Sequence, residues 1–310
     1  MALEKWLVNG PKVIDLELVR SVKISLIGGK IDVIGHDEPG ARVEIHSVTG
    51  KDLKVSIDGD RLEIDHPQLR WDNFIDVFAS FRGTAKADIS LLVPRDVALK
   101  FGVVTASALI SGITNDARVS TVSGDIVIDN VTGDLELNTV NGEISVGDHR
   151  GVVAVHTVSG DITVSGAVRR FSCDGVAGDV FLDLEGDVDT LENNTVSGDF
   201  TVRLDAGLGA RYNVNTVSGV LSLDGSTFRA THGKGNNFTT GTLDGRFVEV
   251  HANSVSGDIT SLRRADAAHP QPEAHAQPAP ESQPAPKSPT APESQPDSET
   301  HTEHESQASA

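Results

Sequence analysis

The sequence predicts an all-β protein whose central part is a parallel β-solenoid with about 18–20 residues per coil. Two observations carry this prediction. The 310-residue chain contains 30 glycines but only 4% aromatic residues, and solenoids fill a narrow interior with aliphatic side chains while glycine makes their turns. In addition, a Gly-Asp motif recurs at nearly constant spacing, and a short alternating strand follows it each time.

Residues 1–105 are predicted to form a β-rich N-terminal cap, because their apolar residues alternate with a period of two. One hairpin is expected over residues 22–33, where two alternating runs flank Gly28 and Gly29. A second is expected over residues 55–64, around the turn dipeptide Asp58-Gly59.

Four aromatic residues follow this cap pattern at helical spacing. Trp71, Phe74, Phe78 and Phe81 are three, four and three residues apart, which places them on one face of a helix. Such a helix would pack as a plug on the N-terminal strands, or it would form an exposed patch for a partner or a membrane surface. The sequence leaves both interpretations open.

Residues 106–264 carry the repeat and are predicted to be the solenoid. The phrase Thr-Val-Ser-Gly-Asp occurs in full at 121–125, 157–161 and 195–199. Glycine is expected at each corner because the chain turns there with a positive φ. Because the first three glycines are nine residues apart and later ones about eighteen, each coil should have two corners. The predicted turn glycines are Gly124, Gly133, Gly142, Gly160, Gly178, Gly198, Gly219 and Gly257.

Stacking of coils at about 4.8 Å predicts two polar columns on this surface. Acidic residues after the glycines should form a ladder that bonds turn amides, with weak cation binding as the alternative. Catalysis needs carboxylates in unlike environments, which a ladder does not supply. The sequence therefore predicts no catalytic, cofactor-binding or metal-binding residue and no cofactor. The ladder is Asp125, Glu143, Asp161, Asp179 and Asp199; the second column is Ser120, Asn138, His156, Asn194, Asn215 and Asn253.

The net charge of −19 argues against nucleic acid and disfavours an anionic membrane surface as partner. Cations, basic proteins and neutral glycans remain compatible with it. Cys173 is the only cysteine, so no intrachain disulfide can form, and it is expected to be a small semi-buried side chain.

The remaining segments bear on location. The N-terminal sequence does not resemble a signal peptide and the chain has no long apolar run, so a cytoplasmic protein is expected. Residues 265–310 hold nine of the thirteen prolines among Ala, Glu, Gln and Ser, and this composition predicts a disordered tail.

The recurring phrase, together with its spacing, resembles a bacterial domain family of unknown function known as the putative-adhesin family. The resemblance spans roughly residues 10 to 262. It implies a fold of the β-solenoid or β-helix kind and brings no established catalytic residues to carry over. The family name implies association with the cell surface.

Three functions are compatible with these features. The expected one is a non-enzymatic scaffold or interaction module that binds a protein or glycan partner and is associated with the cell envelope. The first alternative is a polysaccharide-active lyase or hydrolase, since parallel β-helices often host such enzymes. The second is self-assembly, because an uncapped solenoid end can add another solenoid.

Overall fold

The structure is a computed structural model that describes residues 3–66, 85–229 and 236–265. Within these ranges the chain forms 24 strands and no helix, which confirms the all-β prediction. The first twelve strands are β1 (Glu4–Val8), β2 (Lys12–Leu16), β3 (Ser21–Leu26), β4 (Gly29–His36), β5 (Ala41–Thr49), β6 (Leu53–Asp58), β7 (Arg61–Asp65), β8 (Lys86–Pro94), β9 (Ala98–Val103), β10 (Ser107–Ser111), β11 (Ala117–Thr121) and β12 (Ile126–Asp129).

The second twelve strands complete the described chain. They are β13 (Thr132–Thr139), β14 (Ile144–Thr157), β15 (Ile162–Gly175), β16 (Val180–Leu184), β17 (Thr190–Ser197), β18 (Phe200–Leu204), β19 (Gly209–Ser218), β20 (Val220–Leu223), β21 (Ser226–Arg229), β22 (Asn236–Thr240), β23 (Phe247–Ser256) and β24 (Ile259–Arg263).

Each coil of the solenoid places one strand on each of two faces. On face A, β9, β11, β13 and the second halves of β14 and β15 pair in parallel, followed by β17, β23 and β19. On face B, β10, β12, the first halves of β14 and β15, β16, β18, β24 and β20 do the same. Paired residues are one coil apart in the sequence; Val119, for example, lies opposite Leu137. The parallel β-solenoid prediction is confirmed.

The interior is a continuous aliphatic column. Alternate residues of each strand point inward, as in β12, where Ile126 and Ile128 are buried and Val127 is exposed. Few large side chains enter this column, and they are fully buried: Phe101, Phe171, Phe200 and Tyr212. A single coil could not exclude water from its inner face, so stacking of coils supplies the hydrophobic stabilisation.

The hairpin predicted around Gly28 and Gly29 is wrong. Strands β3 and β4 do not pair with each other; β3 pairs in parallel with β7 and β9, and β4 with β8 and β10. The two glycines therefore form a corner of a coil. The second predicted hairpin is confirmed, because β6 and β7 pair antiparallel with Asp58 opposite Arg61.

Parallel stacking begins well before residue 106, and its order at the N-terminal end is not the order of the sequence. The coil β3–β4 lies between β7–β8 on one side and β9–β10 on the other. The chain makes an interior coil first, adds the outer coil β7–β8 next, and then crosses back to continue the stack.

The C-terminal end repeats this arrangement. The final strands β23 and β24 are inserted between β17–β18 and β19–β20, with parallel pairing on both sides. The 38 residues from Gly219 to Gly257 contain the antiparallel strands β21 and β22 and the return of the chain to the stack. The last coil in the sequence is thus the penultimate coil in the stack.

Antiparallel strands cover both ends of the stack. At the N-terminal end β6 and β1 extend face A, and β5 and β2 extend face B. At the C-terminal end β22 covers β19 and β21 covers β20. The parallel edges that a growing solenoid would offer to another molecule are therefore paired within the chain.

Some sequence-based predictions lie outside the described residues. These are the aromatic face of Trp71, Phe74, Phe78 and Phe81 and the C-terminal tail from residue 266 onward. Among the residues that the structure does describe, no helix is long and apolar enough to cross a membrane.

Candidate functional site

The recurring phrase Thr-Val-Ser-Gly-Asp forms the corner between face A and face B, and its threonine closes the turn. The Oγ1 of Thr139 accepts a hydrogen bond from the amide of Gly142 at 3.0 Å and donates to the carbonyl of the same glycine at 3.1 Å. Thr121 with Gly124 and Thr157 with Gly160 make the same pair of bonds. The threonine therefore satisfies turn groups that lie inside the protein.

The glycine is required because consecutive corners approach each other closely. A Cβ added at Gly142 would lie 2.3 Å from the carbonyl oxygen of Gly124, and one at Gly160 would lie 2.2 Å from that of Gly142. The positive φ that the sequence reading assigned to every corner is present at Gly178 and Gly198 but not at Gly142 or Gly160. Close backbone approach, rather than φ alone, is the shared reason for glycine.

Seven of the eight predicted turn glycines lie at this corner. In stacking order they are Gly124, Gly142, Gly160, Gly178, Gly198, Gly257 and Gly219. Gly133 lies at the other corner, where Gly151 stacks on it. The two-corner coil predicted from the nine-residue spacing agrees with this placement.

The acidic residue of the phrase links one coil to the next. Asp161 Oδ1 accepts the amide hydrogen of Asp179 at 2.8 Å, and Asp179 accepts that of Asp199 in the same way. Asp199 then accepts the amide of Asp258, and Asp258 accepts that of Val220. Asp125 accepts the amide hydrogen of Glu143 at 3.3 Å, so the aspartates of the ladder bond turn amides as predicted, each satisfying a backbone donor of the neighbouring coil.

The serine of the phrase also bonds within the stack. Ser159 Oγ donates to the carbonyl of Val140 at 3.0 Å, and Ser123 and Ser197 make longer bonds of the same kind. The threonine, serine and aspartate side chains of the phrase therefore bond within the stack, and the glycine packs on the neighbouring corner. The valine bonds through its backbone alone, and its side chain has no internal partner.

Valines in six copies of the phrase and its variants form an exposed apolar row, which we call the valine ladder, whereas Val122 in the first copy is buried. In stacking order its members are Val140, Val158, Val176, Val196, Val255 and Val217. Between 36% and 52% of each residue is exposed. Six rungs at the inter-strand spacing of about 4.8 Å make a stripe roughly 24 Å long. Contiguous exposed apolar surface of this kind is typical of an interaction site.

Polar residues flank the valine ladder on both sides. On one side lies the acidic ladder, whose carboxylates are exposed to solvent. On the other side is the second polar column of face A, now joined by Asp174 between His156 and Asn194. Asn253 donates to Asn194 at 3.0 Å, and Asn194 donates to Asp174 at 3.1 Å, so this flank is ordered by its own bonds. The surroundings of the valine ladder are polar and acidic.

The titratable groups with shifted pKa values lie away from the valine ladder. Burial raises the pKa of the Cys173 thiol to about 12, which agrees with its expected role as a packing residue. Burial lowers the pKa of His66 to about 4 and also lowers that of His149. Within the described ranges no three His, Cys, Asp or Glu side chains are grouped so that they could hold a metal ion.

A second cluster, which we call the clasp, fastens the inserted coil. Asp224, at the end of β20, accepts hydrogen bonds from Arg263 at 2.7 Å, Tyr212 at 2.9 Å, Ser261 at 3.0 Å and Thr240 at 2.5 Å. Burial would raise the pKa of Asp224, but these donors, the Arg263 guanidinium above all, hold it below its ordinary value. The cluster joins β19, β22 and β24 and is structural.

The sequence analysis did not single out the valine ladder or the clasp. A signal for the ladder was present, because valine recurs in the phrase as regularly as glycine does. The alternation of apolar residues along a strand does not predict whether a residue at a corner is buried or exposed. Asp224, Arg263 and Tyr212 come from distant parts of the chain, and no local pattern connects them.

Comparison with known proteins gives a family but no activity. The model of the family described as Toastrack DUF4097 matches residues 20–261. The search among curated proteins returned no match.

Solved structures similar to this chain include a putative lipid binding protein from Parabacteroides distasonis, with 14% identity and a TM-score of 0.44 over 82% of this chain and 97% of that one. A putative adhesin from Bacteroides fragilis has 12% identity and a TM-score of 0.43 over 81% and 97% of the two chains. A putative cell adhesion protein from Clostridium sporogenes has 15% identity and a TM-score of 0.26 over 82% and 100%.

Proposed function

The chain belongs to the Toastrack DUF4097 family, and from that membership and the geometry of its corner we propose that it is a non-enzymatic interaction module that binds a protein partner along the valine ladder. The observation that carries the proposal is the exposure of six valine side chains in a phrase whose threonine, serine and aspartate side chains mostly bond within the stack. The exposed valine side chains add no hydrogen bond to the stack and leave apolar surface in water.

The dimensions of the valine ladder favour an α-helix as the docked element. Its rungs repeat at about 4.8 Å, close to the helical pitch of about 5.4 Å at which one apolar residue returns per turn. An extended strand lying along the ladder would return a side chain to the same face every ~6.7 Å and would lose register sooner. A stripe of roughly 24 Å corresponds to a helix of about 16 residues.

The charge around the valine ladder favours a basic helix. The acidic ladder lies beside the valines, and the chain as a whole carries a net charge of −19. An acidic helix would be repelled on approach, whereas lysines and arginines beside an apolar stripe would meet carboxylates already held in place by backbone amides. We therefore infer that the partner presents a basic amphipathic helix. Association with the cell envelope, which the family resemblance implies, stays part of this proposal.

Of the alternatives, self-assembly by end-to-end addition has less support. Antiparallel strands pair with the outermost coils at both ends of the described chain. A polysaccharide-active enzyme would place its catalytic carboxylates in unlike environments, whereas the aspartates of the acidic ladder share one kind of partner, a backbone amide of the next coil.

A defined peptide tests the proposal. A 16-residue helix with leucines on one face and lysines on the flanks should bind the full chain, as measured by fluorescence anisotropy. Replacing three rungs together (Val158→Ser, Val176→Ser and Val196→Ser) should weaken binding by about tenfold or more, because apolar contact is lost at three adjacent positions.

The control replaces three equally exposed apolar residues elsewhere: Val13→Ser, Leu92→Ser and Val127→Ser. It should leave the affinity unchanged. Equal losses in the two triple variants, or equal binding of a peptide with glutamate in place of lysine, would contradict the proposal.

A further inference from the structure

A hollow on the outer side of face A is separate from the valine ladder. It has a volume of about 740 Å³ and lies across six neighbouring strands, from β7 through β3, β9, β11 and β13 to β14. Six strands at about 4.8 Å give it a length of roughly 24 Å along the stack. The hollow is therefore an elongated trough.

Short side chains line the trough toward its two ends, Ser21 and Ala98 on β3 and β9 and Val152 and Ala154 on β14. The strands between them, β11 and β13, line it with longer polar side chains such as Arg118 and Glu136. The residue that follows Val152 in register is Arg170, which is not part of the lining. The trough thus ends at the coil of Val152, and its length leaves room for a ligand to lie lengthwise over several coils.

The charges of the lining are balanced. Three cationic side chains (Arg61, Lys100 and Arg118) and three carboxylates (Asp116, Asp134 and Glu136) face the trough, with His156 near one end. Arg118 forms an ion pair with Glu136. Asp116 accepts the backbone amide hydrogen of Asp134 at 2.9 Å, which fixes the orientation of its carboxylate.

This balance selects the class of ligand. Guanidinium and ammonium groups only donate hydrogen bonds, and ionised carboxylates only accept them. A hydroxyl group does both, so a chain with many hydroxyls can bond to either set of side chains. A polyanion would meet three carboxylates in the trough, and a polycation would meet three cations. A neutral, hydroxyl-rich chain is the ligand that neither set repels.

We propose that the trough binds a neutral oligosaccharide that lies along the stack, with its hydroxyl groups bonded to the charged side chains of the middle strands and its ends over the small residues. The trough matches an extended ligand in shape, because one sugar ring is about as long as the spacing between coils. This binding is independent of the valine ladder, since the two surfaces share no residue.

The test uses the full chain and neutral hexasaccharides: cellohexaose, mannohexaose, maltohexaose and chitohexaose. Calorimetry should show binding of at least one of them. The substitution Ala154→Tyr fills the β14 end of the trough without changing charge and should weaken that binding by about tenfold or more. Arg61→Gln removes one donor and should weaken it several-fold.

Matched controls decide between specific and general binding. Ser172→Tyr places the same ring one coil further along the same column, outside the trough, and should leave the affinity within about twofold. Deacetylated chitohexaose is a polycation with the backbone of chitohexaose, and hexagalacturonate is a polyanion; both should bind more weakly than the best neutral ligand.

Three results would overturn the inference. One is the absence of binding by all four neutral hexasaccharides, and another is tighter binding of either charged oligomer. The third is equal affinity of the Ala154→Tyr and Ser172→Tyr variants, with circular dichroism showing that both are folded. The triple valine variant should bind the oligosaccharide normally, so failure here is distinguishable from failure of the peptide experiment.

Discussion

At the scale of single residues, the corner phrase divides its work between the interior and the surface. Thr139 and Gly142 serve the turn itself, and Asp161 serves the neighbouring coil. The valine that follows the threonine of the phrase, for example Val158, is about half exposed. Substitutions at threonine, glycine or aspartate should therefore change stability, whereas substitutions at valine should change what the surface binds.

Buried histidine gives the fold a pH dependence. His66 is fully buried, and its Nδ1 accepts the amide hydrogen of Ile27 at 3.2 Å. Because burial lowers its pKa to about 4, the unfolded chain takes up a proton below about pH 6.5 while the folded chain does not. Between pH 6.5 and pH 5 the free energy of unfolding should fall by roughly 2 kcal/mol from this residue alone.

Urea unfolding of the wild type and of His66→Gln at both pH values measures this contribution. The variant keeps an acceptor for Ile27 but cannot take up the proton, so its stability should fall less on acidification. The control is His46→Gln, an exposed histidine whose Nε2 contacts Ser90. Parallel loss of stability in wild type and His66→Gln would contradict the assignment.

At the scale of elements, the clasp determines how firmly β22 and β24 are held. Asp224→Asn removes the charge that Arg263 faces in a partly buried site and should cost about 3 kcal/mol. Since the pKa of Asp224 is held low, this contribution is complete above the ordinary carboxyl pKa of about 3.9 and is lost as the pH falls further.

Hydrogen exchange locates the effect of this substitution. Amide protection should fall first in β22 and β24 and less in the central coils, because the clasp contacts only the C-terminal strands. Asp189→Asn breaks an exposed ion pair with Arg169 and should cost less than about 1 kcal/mol. A uniform loss of protection over the whole chain would contradict a local fastening role.

The sequence predicted that these segments are β-strands, but it predicted only some of the strands with which they pair. The β6–β7 hairpin was predicted correctly because its two-residue turn at Asp58-Gly59 determines the pairing locally. The predicted pairing of β3 with β4 was wrong because alternation of apolar residues is the same in a hairpin strand and in a solenoid strand. The strand with which a solenoid strand pairs is decided by residues at least a full coil away in the sequence, as for β3 and β9.

At the scale of the whole molecule, the order of the coils is consistent with the positions of the aspartates that accept amide hydrogens from the next coil. Val220 takes the place of aspartate in the phrase, and its coil is the last in the stack. In the observed order Asp258 accepts the amide of Val220. In the sequential order Val220 would precede Asp258 and could not accept its amide. The valine at position 220, where other copies of the phrase have an acidic residue, therefore marks the last coil of the parallel stack, since its side chain cannot accept an amide hydrogen from a further coil.

The period of the stack predicts which deletions are tolerated. Removing Glu143–Gly160 deletes one complete coil containing β14 and leaves β12 and β13 in register with β15. Circular dichroism and thermal unfolding should show a folded, slightly less stable protein, since one coil of interface is lost and the rest is retained.

The half-coil deletion is the matched control. Removing Glu143–Gly151 would bring face A residues onto face B and expose their apolar side chains, so this variant should not fold. Equal tolerance of the two deletions, or unfolding of both, would contradict the assignment of one coil to eighteen residues.

The cross-section of this protein was predictable from its amino-acid pattern: the length of a coil, its two corners and the side chains that point inward. These features are local, because a turn needs glycine at a fixed interval and alternation selects the buried residues. The order of the terminal coils, the outward row of valines and the trough on face A became visible only in the folded chain. Coils of equal period offer nearly equivalent edges, so their order depends on distant contacts such as the clasp and the acidic ladder.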